Sequence, residues 1–129
     1  MDRERVEEIS GTESILVVVE VVAATFGNAG GTGMFLWNQR TGALYLWADV
    51  TCADNGDGTG SIRYTQYKIS SKWNKGQHLS TLEAADFDGD GVPDLWAVTP
   101  SGVATAYVIS QLSAYGTAKI TASMPQMLR

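Results

Sequence analysis

Cysteine is all but missing from this sequence. Cys52 stands alone, so no disulfide can form within the chain, and it is expected to be a partly buried small apolar residue. Histidine is as scarce. His78 has no second histidine and no nearby cysteine to share a metal with, which argues against zinc and leaves a solvated loop residue after Gly76. Long hydrophobic runs are lacking too. Ile15 to Ala24 is interrupted by Glu20 and is too short to span a membrane. Basic residues are scattered and form no patch that could track a phosphate backbone, so no nucleic-acid partner is expected. Nor does the N-terminus carry the positive charge of a signal peptide. Met1 to Glu8 holds four acids against two arginines, and any export signal would lie outside this chain.

What is present favours β-structure. Fourteen glycines and only three prolines separate short β-branched and aromatic runs, the pattern of an all-β fold. A chain of 129 residues is one ordinary domain's worth and can bury roughly two thirds of its unfolded surface. Net charge is −5, and four of the fourteen acids fall between Asp86 and Asp94, so the acidity belongs mostly to one loop.

The strands can be placed by their apolar runs. Met1 to Glu8 reads as a short helix or a frayed end. The valine-rich Ile15 to Ala24 reads as a buried strand. Gly27 to Gly33 holds four glycines and is a loop. Met34 to Asn38 and Ala43 to Asp49 are strands around the Arg40-Thr41-Gly42 turn, with Leu44 and Leu46 on one face and Tyr45 and Trp47 on the other. Asp54 to Gly60 is a polar turn, and Ser61 to Ser70 returns. The pattern then starts again: Ser80 to Ala85, the acidic loop, Leu95 to Thr99, a turn at Gly102, Val103 to Ser110, and Thr117 to Ser123.

This restart is an internal repeat. Leu36-Trp37 corresponds to Leu95-Trp96, Gly42 to Gly102 and Trp47 to Tyr107, each 59 or 60 residues apart. Four strands per repeat suggest antiparallel four-stranded sheets stacked as β-propeller blades, about two blades of a partial propeller. Residues 1–12 are then an N-terminal tail, 13–79 a first blade-like repeat and 80–129 a second. In each sheet Leu36 or Leu95 should be buried against the neighbouring one.

The acidic loop carries the chemistry. Asp86, Asp88, Asp90 and Asp94 occupy loop positions 1, 3, 5 and 9. Alternate residues of a tightly curled loop point inward, so the first three can reach one ion. Gly91 permits the sharp turn, the Val92 carbonyl can add an oxygen, and Asp94 closes the site. Calcium takes six to eight oxygens of this kind. An EF-hand would need a glutamate at position twelve, where Ala97 stands, and the residues that follow suit a strand. Two further readings stay open. Phe87 to Gly91 has the Asp-x-Asp look of haloacid-dehalogenase-type phosphatases, although only thirty-five residues follow Asp94 and they read as strands. The loop could also be a solvated acidic turn that holds no metal.

From Glu83 to Val98 the sequence runs Glu-Ala-Ala-Asp-Phe-Asp-Gly-Asp-Gly-Val-Pro-Asp-Leu-Trp-Ala-Val. It resembles the FG-GAP/VCBS repeat, the calcium-loop blade of integrin-α-like propellers, over about thirty residues. The resemblance implies calcium held by Asp86, Asp88, Asp90, Asp94 and the Val92 carbonyl, in a protein that is secreted or at the cell surface. The first repeat departs from the pattern: Gly27 to Gly33 has no carboxylate and should bind no calcium. Asp54, Asn55 and Asp57 fall where the family has no metal site and read as a plain hairpin turn.

No nucleophile or general-base pair has motif context, so no enzyme is expected. The expected role is a calcium-stabilised propeller module, structural or binding, with a protein or glycan ligand. Further blades or self-association would cover its open faces and edges. The alternative is a carbohydrate- or protein-binding module, or an accessory domain of a secreted hydrolase, in which Trp37, Trp47, Trp73 and Trp96 form a stacking surface. Strong exposure of two neighbouring tryptophans would favour that alternative.

Overall fold

The computed structural model describes residues 3–10, 15–27 and 31–127. The described chain is all β, with no helix, so none is long and apolar enough to cross a membrane. Ten strands follow in order: β1 (Arg3–Ser10), β2 (Ile15–Thr25), β3 (Thr32–Asn38), β4 (Leu44–Asp54), β5 (Gly60–Ser70), β6 (Thr81–Ala85), β7 (Asp94–Val98), β8 (Val103–Ser110), β9 (Lys119–Ala122) and β10 (Gln126–Met127). They form two antiparallel sheets. The first is a five-stranded meander, β1-β2-β3-β4-β5. The second runs β6-β7-β8, and β9 and β10 then follow one another along the outer edge of β8 with the register slipped by one residue between them.

Arg3–Ser10 is neither helix nor frayed end. It is the fifth strand of the first sheet and covers the edge that β2 would otherwise present.

One core lies between the sheets. Val22 and Ala24 of β2, Phe35 and Trp37 of β3, Leu44 and Leu46 of β4 and Ile69 of β5 meet Leu82 and Ala84 of β6, Leu95 and Ala97 of β7 and Ile109 of β8. The period-2 alternation of β3 and β4 follows from the pleat, which sends every second side chain inward. Leu95 is buried as expected, but Leu36 is not. Phe35 and Trp37 are fully buried, while Leu36 lies half-exposed on the opposite face. The pairing of Leu36-Trp37 with Leu95-Trp96 therefore joins residues on opposite faces, because a one-residue slip turns every side chain over. The turn glycines do agree: Gly42 and Gly102 both lie in the left-handed region, at φ 85° and 91°.

The connection 71–80 is part of the core. Trp73 packs edge-on between Trp37 of the first sheet and Tyr107 of the second, with ring centroids 5.4 and 5.1 Å away. The Trp37 indole N–H donates to the Trp73 carbonyl at 2.9 Å. Backbone bonds join the sheets elsewhere: Lys68 N–H donates to the Gly116 carbonyl, and Ala118 N–H to the Lys68 carbonyl. Beyond a bulge between Ala48 and Thr51, β4 and β5 run on as a two-stranded ribbon. Every residue from 51 to 60 is exposed there, including Cys52, which is not the partly buried residue its type suggested. His78 is exposed in the connection.

Candidate metal centre

The loop of residues 86–93 joins β6 to β7, strand to strand. Hydrogen bonds from its own backbone curl it. Asp86 accepts from Gly89 N–H and Gly91 N–H, both at 2.9 Å, one on each carboxylate oxygen. Asp88 accepts from Asp90 N–H at 3.3 Å, and Asp90 from Val92 N–H at 2.9 Å. Gly89 and Gly91 sit at φ 74° and 86°, a conformation that side chains disfavour. Aspartates at alternate positions thus turn inward because each holds an amide further along the chain.

Asp94 differs from the other three. It is fully buried at the start of β7, whereas Asp86, Asp88 and Asp90 are exposed. One oxygen accepts from Phe87 N–H at 2.9 Å and the other from Ile109 N–H of β8 at 2.7 Å. It therefore ties both ends of the loop to the neighbouring strand. Sequence reasoning missed the Ile109 contact, since nothing local announces a partner fifteen residues away.

The four aspartates each offer a carboxylate oxygen, and these atoms all lie within 4.8 Å of one another. This group can hold a metal ion. Val92, which the sequence also assigned to the site, packs half-buried against the core and caps Asp90 through its N–H. Asp54, Asn55 and Asp57 form a separate exposed turn: Asp57 accepts from Thr59, and Asn55 and Thr59 bond across it.

The carboxyls titrate differently. The Gly91 amide, with help from that of Gly89, holds Asp86 below its ordinary range. Desolvation pushes Asp88 up, and the charges of Asp94 and Asp90 add to it. Burial pushes Asp94 up, opposed by the amides of Ile109 and Phe87 and aided by the charges of Asp90 and Asp86. Negative charge is thus crowded here, and a cation would relieve it.

One neighbour of the loop lies just beyond the end of β2. Gly27 N–H donates to the Gly91 carbonyl at 2.9 Å. A Cβ on Gly27 would stand 2.9 Å from Gly91 Cα, so only glycine allows this approach. The glycine-rich stretch after β2 signalled a loop, not this docking.

The tryptophans do not form one surface. Trp37 and Trp73 are buried, while Trp47 and Trp96 are half-buried on different sheets. Comparison of the chain with protein families, with curated proteins and with solved structures finds no match.

Proposed function

We propose that this chain is a calcium-stabilised all-β module of the FG-GAP/VCBS kind, with a structural and binding role in a secreted or cell-surface protein. The clustering of four carboxylates, one of them buried and bonded to two strands, carries this reading. Calcium is the ion this reading takes, because it accepts six to eight oxygen ligands and the loop offers oxygens alone. Opposite ligands of a calcium ion lie about 4.6 to 5.2 Å apart, and those of magnesium about 4.0 to 4.2 Å. The carboxylate oxygens lie within 4.8 Å of one another, a bound that a calcium-sized shell satisfies. Asp86, Asp88, Asp90 and Asp94 supply charged oxygens and the Val92 carbonyl a neutral one.

The ion does no chemistry in this reading. It offsets the repulsion among the carboxylates and fixes the β6–β7 turn against β8 and the Gly27 loop. Isothermal titration tests it. One calcium should bind per chain, with a dissociation constant of about 0.1 to 1 mM, the range of extracellular modules. An absence of heat with calcium, or an equal response to magnesium, would refute the proposal.

A further inference from the structure

The outer face of the first sheet, turned away from the core, carries a groove of about 530 Å³. That volume is within the range of small-ligand sites. Its wall is apolar and aromatic: Leu36 of β3, Tyr45 and Trp47 of β4, and Val19 of β2. Among the described residues its polar lining is Asn38, Thr41 and Gln66, and none of these carries a carboxylate, ammonium or guanidinium. Among those lining residues a phosphate, an acidic peptide or a cation finds no counter-charge; Lys68 stands opposite Tyr45 in the register but does not line the groove.

The polar groups are already half-used, and what is left over is informative. Asn38 Oδ1 accepts from the N–H groups of Arg40 and Thr41. Gln66 Oε1 accepts from the Trp47 indole N–H at 3.0 Å. Thr41 Oγ1 accepts from Ala43 N–H. These bonds fix both amides with their oxygens engaged. The Asn38 and Gln66 NH₂ groups have no acceptor among the described residues. Trp47 is held still as well: its ring stacks on Tyr64 at 3.7 Å between centroids, 8° from parallel. The groove therefore presents a held Trp47 ring beside neutral amide donors.

From this combination we infer that the groove binds an uncharged carbohydrate. The apolar C–H face of a sugar ring packs on Trp47 and Tyr45, and its hydroxyl oxygens accept from Gln66 and Asn38. A fixed Trp47 loses little freedom on binding. A second apolar sheet is a poorer occupant, because it would bury those amide donors without partners. The inference does not depend on the metal site.

The test is titration of the whole chain with uncharged hexasaccharides, namely cello-, xylo-, laminari- and maltohexaose, read by tryptophan fluorescence and calorimetry. At least one should bind, and Trp47→Ala should weaken it by about ten-fold or more, the scale of a lost aromatic anchor. Gln66→Glu keeps the side chain's size but removes the donor, and it should weaken binding even where Trp47→Ala proves unstable. Failure of all four sugars to bind would overturn the inference. So would undiminished binding in Gln66→Glu. A dimer that Trp47→Ala converts to monomer would also overturn it, assigning the face to a second copy of the chain.

Discussion

Asp88→Ala and Asp94→Ala, compared with and without calcium, separate a metal ligand from a structural anchor. Asp88 is exposed, and its one backbone bond is long at 3.3 Å. Its loss should leave the metal-free protein almost unchanged. Calcium binding to the folded state alone adds RT ln(1 + [L]/Kd), about 1.8 kcal/mol at about 2 mM calcium and a Kd of about 0.1 mM. Unfolding entropy scales with length and is roughly 0.27 kcal/mol/K for 129 residues. The wild-type melting temperature should therefore rise by about 7 °C with calcium. Asp88→Ala should lose most of that rise. Asp94→Ala should melt far lower even without calcium. It strands the amides of Phe87 and Ile109, at a cost of about 1 to 3 kcal/mol for each that stays buried and unpaired. Scanning calorimetry of three proteins at zero and 2 mM calcium decides the matter. An undiminished calcium shift in Asp88→Ala would place the ion elsewhere, and a metal-free Asp94→Ala as stable as wild type would refute the anchoring role.

Three other outcomes follow from the same geometry. Gly27→Ala forces a Cβ against Gly91 and should cost about 1 to 3 kcal/mol, while weakening calcium binding through the displaced loop; melting and titration of the variant check both. Phe35→Ala should destabilise by about 3 to 5 kcal/mol and Leu36→Ala by much less, since only the first is fully buried; equal losses in urea unfolding would contradict the assignment of faces. Without calcium, the raised pKa values of Asp88 and Asp94 mean that the folded state holds protons more tightly than the unfolded. Their contribution should make stability fall as pH rises from the ordinary carboxylate range through the raised values, while Asp86 opposes this below that range. With saturating calcium the slope should reverse, because the ligands must be ionised to bind; melting curves from about pH 4 to 7 distinguish the two signs.

The loop was legible because its chemistry is local. Alternate aspartates, two glycines and a following apolar run specify a curled turn between strands without reference to the rest of the chain. Strand positions were legible for the same reason, through apolar runs ended by Gly42 or Gly102. The face of a strand was not. Met34-Phe-Leu-Trp is apolar at every position, so alternation gives no parity, and Leu36 reads as core as readily as Phe35. Parity is settled by the opposite strand, where Leu46 pairs with Phe35 and Leu44 with Trp37. A correspondence that keeps faces in step pairs Phe35 with Leu95 instead. Cys52 was misplaced because its type favours burial, while the bulge after Ala48 carries β4 beyond the core.

What no local reading supplies is how the loop is joined to the rest of the protein. Asp94 bonds to β8 through Ile109, and Gly91 bonds through Gly27 to the turn that follows β2 of the first sheet. Each bond crosses to an element that the loop does not itself connect. A cation that tightens the loop must then tighten three things together: the β6–β7 turn, its seat on β8, and the contact between sheets. The buried faces near that contact belong to Val22, Ala24, Leu82 and Ala84 of the neighbouring strands β2 and β6. Loosening the loop should therefore be felt at the sheet–sheet junction before it reaches the exposed ribbon of β4 and β5, which is anchored at the far end of its own sheet. Amide exchange would show this as calcium-dependent protection in β2, β6 and β8, with residues 51–60 exchanging fast in either state. Uniform protection across the chain would mean that calcium acts on global unfolding alone and not through the junction.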